Sequence, residues 1–169
     1  MNILIRSETP EDIQFIGQVT ALAFAGKPYS DQTEPLIIER LRKAGALSLS
    51  LVAEANSRVV GHVGFSVVHI NGLDIGWFGL GPISVLPELQ KHGIGSKLIG
   101  VGLSMLRENG AKGSVLVGNP GYYHRFGFKT HPGLTYEGLP APEYFMALPF
   151  YEEIPTGKVE FHKAFYSSE

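Results

Sequence analysis

Apolar and polar residues alternate at two different spacings along this chain of 169 residues, and the spacing predicts the elements. Strand-like runs rich in Val, Ile, Leu and Phe cover residues 3–6, 49–55, 59–70 and 75–85. Helical spacing covers residues 10–26, about 30–44 and about 93–108. Turn signals at residues 56–58 and at Asn71-Gly72 join the central strands, so the centre of the chain is predicted to be an antiparallel meander.

The second half of the chain continues with shorter elements. The pattern predicts strands over residues 114–117, 145–150 and 159–161, and a short helical segment over residues 122–126. This order predicts a mixed α+β fold with a mostly antiparallel central sheet flanked by helices. No linker divides the chain, so residues 1–169 are predicted to form a single domain, with residues 151–169 as an extension of uncertain role.

Composition excludes several classes of function. The formal net charge is −2 with no block of Lys or Arg, which argues against nucleic-acid and membrane-surface partners. The chain has no cysteine, so it has no disulfide and no thiol nucleophile. There is no signal-like N-terminus and no apolar run long enough for a membrane span, so a cytoplasmic location is expected. No metal is expected, because no pair has the spacing of metal ligands among the histidines at 62, 69, 92, 124, 131 and 162.

The segment that joins the third central strand to the next helix carries the first candidate chemistry. Gly93 and Gly95 let a ligand approach the backbone closely, and the first turn of a helix offers N–H groups and a positive dipole end to an anion. Lys91 and Lys97 add positive charge. A pyrophosphate would suit this site, although the same glycines could serve a tight turn alone. The spacing matches neither the Walker loop nor the dinucleotide fingerprint, since residue 98 is Leu.

The strand before this loop is interrupted by Gly79, Gly81 and Pro82. Proline cannot donate to a sheet ladder and glycine weakens it, so a bulge or a splayed strand is predicted there. Backbone groups freed by a splay can pair with an extended amide ligand such as pantetheine. The alternative is an ordinary edge strand with a bulge.

Two motifs in this order resemble a known family. Gln90-Lys-His-Gly93-Ile-Gly95 fits the Q/R-x-x-G-x-G/A signature of the GNAT superfamily of N-acetyltransferases. One helix and one strand later, the run from Gly118 to Phe128 resembles the Tyr-x-x-x-Gly-Phe segment of that family. The resemblance covers the chain from Ile3 to about Phe150.

The resemblance implies an enzyme that uses acetyl-CoA as cosubstrate and needs no metal. The loop amides would hold the pyrophosphate and the strand would pair with pantetheine. Tyr123 would be the general acid that protonates the departing thiolate, since a phenol has a pKa near that of a thiol. The implied CoA-binding residues are Ile83, Ser84, Val85, Gln90, Lys91, His92, Gly93, Ile94, Gly95, Ser96 and Asn119.

One departure from the family concerns the general base. Many members carry a glutamate on the strand before the phosphate loop, but residues 77–86 contain no Asp, Glu or His. A base reached through water could be any of Glu54, His62, His69 and Asp74. Alternatively, backbone carbonyls of this strand could hold the amine and pass its proton to water. A non-catalytic module that binds acyl-CoA is the rival hypothesis, and a domain for another phosphorylated ligand is a third.

The acceptor is not specified by the sequence. The resemblance places the helix pair around residues 24–41 beside the acyl end, where Asp31 and Glu34 could attract a cationic amine. A small-molecule amine, a peptide N-terminus and a lysine side chain all stay open, as do longer acyl groups and a homodimer.

Overall fold

The computed structural model describes residues 1–139 and 141–166. The chain divides into two compact units. Unit 1 comprises Met1–Phe65 and Gly81–Gly102, and unit 2 comprises Ser66–Leu80 and the chain from Leu103 onwards. The single domain predicted from the sequence stays a prediction, and residues 167–169 of the predicted extension lie outside the described residues.

Unit 1 contains one edge of a sheet and most of the helical residues. Its strands lie in the order β1, β2, β3, β5, with β1 and β2 antiparallel, as are β2 and β3. Their bounds are Leu4–Ser7 for β1, Leu49–Ala55 for β2, Arg58–Val67 for β3 and Trp77–Val85 for β5, whose second half is in this unit. The helices are α1, Ile13–Phe24, α2, Glu34–Lys43, and the first part of α3, Ile94–Glu108.

The start of α1 is fixed by a buried carboxylate. A short 3-10 turn, Pro10–Asp12, precedes the helix, and Asp12 accepts hydrogen bonds from the Thr9 N–H at 2.7 Å and from Arg6 Nη1 at 2.7 Å. The hydrogen bond from Arg6 lowers the pKa of Asp12 to about 2, although burial opposes the shift. The carboxylate thus belongs to the capping box of the 3-10 turn, and its charge lies at the end of α1 where the helix dipole is positive.

Unit 2 contains strands on both sides of β6 and a second, smaller sheet. The first half of β5 pairs in parallel with β6, Gly113–Val117, which pairs antiparallel with β8, Phe145–Pro149. The second sheet has the order β4, β9, β7, with bounds His69–Ile70, Gly157–Glu160 and Leu134–Thr135. A four-residue helix, α4, covers Pro120–Tyr123. The buried core of this unit contains Val68, Ile70, Trp77, Val115, Leu134, Phe145, Ala147 and Val159.

The predicted fold class, a mixed α+β fold with a mostly antiparallel sheet, is confirmed, but some element bounds differ. The strand predicted over residues 59–70 is two strands, because His69 and Ile70 pair with β9. Asn71 fixes this pairing, since its side chain bonds to the Thr156 carbonyl and the Lys158 N–H. Part of the C-terminal extension is thus the central strand of the second sheet.

The helix predicted from about residue 30 begins at Glu34 instead. Residues before it use their side chains to bond to the local backbone, which competes with helix formation. Asp31 Oδ1 accepts from the Thr33 N–H at 3.1 Å, and Ser30 Oγ accepts from the Gln32 N–H at 2.9 Å.

Two glycines let α3 lie close to β3 within unit 1. A Cβ at Gly61 would stand 3.2 Å from Leu98 Cδ1 and 3.4 Å from Ile94 Cγ2. A Cβ at Gly102 would stand 2.4 Å from Cε1 of the buried Phe65 ring. Neither contact was predicted, although a glycine inside an apolar strand or helix can indicate that another element packs closely against the backbone there.

Gly102→Ala is expected to destabilise the protein by about 1–3 kcal/mol, because the new methyl group overpacks the Phe65 ring. Gly100→Ala is the matched control in the same helix, since its Cβ would meet nothing within 4 Å. There alanine should stabilise the helix by about 0.5–1 kcal/mol. Urea unfolding of both variants measures the difference, and equal effects of one sign would contradict the packing argument.

Candidate active site

Strand β5 changes character in its middle. In unit 2 it pairs with β6 from Trp77 to Gly79. Further along, Gly81 has a φ of 133° and its peptide bond to Pro82 is cis. Proline lacks the N–H that a regular ladder uses, and only glycine readily adopts such a φ. The backbone is therefore unusual at these two residues, while the strand continues to Val85, and the bulge or splay expected from the sequence stays a prediction.

The loop after β5 brings the predicted phosphate-binding residues of unit 1 together. A 3-10 turn, Pro87–Leu89, is followed by Lys91 with φ of 66° and Gly93 with φ of 85°. Helix α3 begins at Ile94, one residue after the predicted start. The first N–H groups of an α-helix have no acceptor within the helix, so this turn can receive an anion.

Side chains of the loop hold its shape. Gln90 Nε2 donates to the Val85 carbonyl at 3.0 Å, and His92 Nδ1 donates to the Gln90 carbonyl at 2.8 Å. Ile94 is 1% exposed and anchors the helix start, whereas Lys91 and Gly93 are exposed. Side-chain hydrogen bonds and the buried Ile94 thus fix the backbone of the loop, while its solvent-exposed side is open to a ligand.

The hydroxyl of Ser84 is turned towards α1. Its Oγ lies 3.3 Å from Thr20 Oγ1, which donates to the Ile16 carbonyl at 2.7 Å. Both side chains are buried. A ligand beside this part of β5 would therefore not meet the Ser84 hydroxyl.

The four residues considered as general bases have different surroundings. Glu54 Oε1 forms an ion pair with Arg6 Nη2 at 3.0 Å, and Asp74 accepts from the Gly76 N–H at 3.1 Å. His69 is exposed on β4. His62 alone of these four is fully buried, at 0% exposure.

A polar network in unit 1 ends at His62. Arg42 donates to both oxygens of Glu8, at 2.8 and 3.0 Å. Ser50 Oγ donates to Glu8 Oε1 and lies 2.8 Å from His62 Nε2. Burial opposes the ionisation of Glu8, but the bonds from Arg42 and Ser50 outweigh it and lower the pKa of this carboxyl. The four residues come from α2, β2, β3 and the loop after β1, so no local motif in the sequence indicated the network.

Burial lowers the pKa of His62 to about 4, and the attraction of Glu8 offsets this only in part. An unfolded histidine has a pKa near 6.5, so between pH 6.5 and about 4 the unfolded chain binds a proton that the folded protein rejects. Stability should therefore fall by about 3 kcal/mol as the pH drops through this window.

Urea unfolding between pH 7 and 4 measures this loss of stability. His131 and His162 also have pKa values lowered by burial, so the contribution of His62 is the difference between wild type and His62→Gln. His124→Gln is the same substitution at an exposed position and controls for the loss of one histidine. An unchanged slope in His62→Gln would contradict the assignment.

The other two predicted site residues, Asn119 and Tyr123, lie in unit 2 at the ends of α4. Asn119 caps the helix, since its Oδ1 accepts from the Gly121 N–H at 2.9 Å. The Tyr123 ring is half-buried, with its centroid 4.9 Å from that of Tyr122 and 6.3 Å from that of Phe128. It also lies over Gly118, where a Cβ would stand 2.5 Å from its ring. The sequence did not predict this contact between Gly118 and the Tyr123 ring.

Two further properties concern the described part of the chain. No group of three or more His, Asp or Glu side chains is arranged to hold a metal ion there. Within the same residues, no helix combines the length and the apolar character that crossing a bilayer requires.

Comparison with known proteins gives a family assignment. Residues 4–131 match the family model of the GNAT acetyltransferase domain. The chain is 34% identical over 128 residues to the uncharacterized N-acetyltransferase YhbS of Escherichia coli. The aligned region covers 75% of this chain and 74% of that protein.

Two crystal structures are similar over nearly the whole chain. One is a GNAT family acetyltransferase from Brucella melitensis in complex with acetyl-CoA, with 49% identity, a TM-score of 0.87 and coverage of 97% of this chain and 98% of that one. The other is Escherichia coli YhbS in complex with CoA, with 31% identity, a TM-score of 0.87 and coverage of 100% and 94%. The chain therefore belongs to the GNAT acetyltransferase family, as its two motifs indicated.

Proposed function

We propose that this protein transfers the acetyl group of acetyl-CoA to a primary amine of an acceptor by direct attack in a ternary complex. The observation that carries the proposal is the loop between β5 and α3, where Lys91 and Gly93 have positive φ and an open helix start follows an irregular strand. The complexes of two similar proteins with acetyl-CoA and CoA support the same cosubstrate.

In this proposal the backbone of unit 1 binds the cosubstrate. The N–H groups from Lys91 to Ser96 hold the pyrophosphate, and Gln90 and His92 keep the loop in shape through the bonds described above. Ile83, Ser84 and Val85 pair with pantetheine, and the Val85 N–H stabilises the oxyanion. Asn119 contributes a further contact to CoA.

The reaction breaks one bond to sulfur and forms one bond to nitrogen. The amine nitrogen attacks the thioester carbonyl, the tetrahedral intermediate expels the thiolate, and the Tyr123 hydroxyl gives the thiolate its proton. The amine loses one proton, so the products are an amide and CoA. A phenol suits this step because its ordinary pKa, about 10, is close to that of a thiol.

Release of free CoA tests the proposal directly. Because the chain contains no cysteine, a thiol-reactive dye detects only the CoA that is released. Purified protein is mixed with acetyl-CoA and a panel of small amines, peptides with free N-termini and lysine peptides. Amine-dependent release above the rate without protein is the expected result. Binding of acetyl-CoA without release in any mixture would favour the non-catalytic module.

Acetyl-CoA is expected to raise the melting temperature without any metal. At a concentration about 100 times its Kd, a ligand that binds only the folded state adds about 2.7 kcal/mol of stability. For a chain of this length that corresponds to roughly 5–10 °C. Calorimetry with and without EDTA makes the measurement. No shift at millimolar acetyl-CoA would contradict the binding proposal, and a shift lost in EDTA would contradict its independence of metal.

A further inference from the structure

The proposed reaction leaves the proton of the amine without a named acceptor, and His62 is a buried imidazole to which the reaction assigns no role. Its place on β3 is close to the proposed pantetheine segment. Within unit 1, β3 and β5 are neighbours in the sheet, and the Leu86 N–H donates to the Val60 carbonyl at 2.9 Å. His62 is therefore one strand away from Ser84.

The hydrogen bonds fix which nitrogen of His62 carries the proton. Ser50 has one hydroxyl hydrogen, and it is donated to Glu8 Oε1. The contact of 2.8 Å between Ser50 Oγ and His62 Nε2 must then be donated by the imidazole. The neutral ring consequently has its proton on Nε2 and its basic lone pair on Nδ1.

Nδ1 of His62 is buried and has no hydrogen-bond partner among the described protein atoms. The Cε1 atom beside it faces Gly64, where a Cβ would lie 3.6 Å from Cε1 and 3.8 Å from the Gly81 carbonyl. The His62 ring and the Gly81 carbonyl therefore both lie beside Gly64, as does Leu47, whose Cδ1 would be 3.0 Å from the same Cβ. A buried polar atom in such a position is commonly satisfied by an ordered water.

The other end of the network reaches the surface of unit 1. Glu8, Arg42 and Ser50 line a pocket of about 310 Å³ together with Ser48. Glu8 and Arg42 are the charged groups whose fields act on His62, with opposite signs. Neither α1 nor β5 contributes a titratable side chain, as both sequences show. Among the described residues, the polar contacts of His62 therefore run through Ser50 to Glu8.

We propose that His62 accepts the proton of the attacking amine at Nδ1 through one water molecule, and that the hydrogen-bonded relay from His62 Nε2 through Ser50 to Glu8 stabilises the imidazolium. The inference rests on the proposed acetyl transfer. The amine proton passes to the water as the water gives its own to Nδ1. Nε2–H stays bonded to Ser50 Oγ and the Ser50 hydroxyl stays bonded to Glu8, whose negative charge offsets that of the ring. After the amide leaves, Nδ1 returns its proton to water and the ring is again protonated on Nε2 alone. Low basicity suits this role, since the imidazolium must release the proton that it accepts.

Ser50→Ala is the main test, because it breaks the relay and leaves His62 in place. The imidazolium loses a hydrogen-bond partner, so kcat should fall roughly tenfold to a hundredfold while the KM for acetyl-CoA stays within about twofold. Ser50→Thr keeps the hydroxyl and should restore most of kcat. Ser48→Ala is the matched control, since Ser48 lines the same pocket but bonds to the Ala46 carbonyl.

Turnover is measured on the best amine of the panel or, failing that, on hydrolysis of acetyl-CoA. Long-range ¹H–¹⁵N spectra of histidine-labelled protein give an independent readout, and the proton of His62 is expected on Nε2 at pH 7. A proton on Nδ1 overturns the inference, as does a Ser50→Ala variant as active as Ser48→Ala. Wild type that binds acetyl-CoA and releases no CoA overturns the proposed function itself, and the relay falls with it.

Discussion

Tyr123→Phe is expected to lower kcat about 10²-fold and to leave the acetyl-CoA-induced melting shift unchanged. Phenylalanine keeps the ring that packs against Tyr122, Phe128 and Gly118 but removes the hydroxyl proton. General acids contribute about 10²- to 10⁴-fold, and a thiolate is a good leaving group, so the lower end of that range applies. Loss in kcat with preserved binding would identify an interaction made in the transition state.

Tyr122→Phe is the matched control for this experiment. The two rings are adjacent and nearly perpendicular, and the Arg125 guanidinium lies over the Tyr122 ring at 4.5 Å. The same loss of one hydroxyl at Tyr122 should change kcat by less than about threefold, since packing and the cation–π contact persist. If Tyr123→Phe is no slower than Tyr122→Phe where chemistry limits the rate, Tyr123 is not the acid.

The sequence predicted the features that depend on local rules. The unusual backbone at Gly81, Pro82 and Gly93 follows from residue type, because proline has no N–H and glycine adopts a positive φ without steric cost. The α+β class follows from the order in which strand-like and helical spacings of apolar residues occur along the chain. The two motifs then identified the family, since their separation by one helix and one strand is a specific pattern.

Features that depend on long-range pairing were not predictable. His62, Ser50, Glu8 and Arg42 are distant in sequence and meet only because β2 pairs with β3 in one register, with Val52 opposite His62. The break after Val67 likewise depends on β9, which is about ninety residues further along. The sequence placed Ser50 and His62 on strands but did not show that they meet Glu8 and Arg42, and it predicted residues 59–70 as a single strand.

Helix α3 shows how the two kinds of information combine in unit 1. Its glycine-rich start was visible in the sequence, but its position over β3 depends on Gly61 and on the contact between Gly102 and Phe65. The buried Ile94 joins the two, because it lies at the first turn and packs towards Gly61. A mutation at the helix start that spares Ile94 is therefore expected to act on ligand binding with little effect on the packing against β3.

Gly95→Val is expected to weaken CoA binding about 10- to 150-fold, the equivalent of losing a hydrogen bond to a charged group. Gly95 lies in the first turn of α3, where the proposed pyrophosphate approaches the backbone, and a β-branched side chain would block that approach. Valine is no worse than glycine inside a helix, so the folded state should lose little stability.

Gly100→Val separates the effect on the ligand from the effect on the helix. It is the same substitution in the same helix, at an exposed position where a Cβ would meet nothing within 4 Å. Titration calorimetry with CoA and a thermal melt are run on both variants. Gly100→Val should bind CoA as wild type does, because it changes only helix propensity. If Gly95→Val stays folded and binds CoA as tightly as Gly100→Val, the phosphate does not sit on the start of α3, and another part of the chain must hold the cosubstrate.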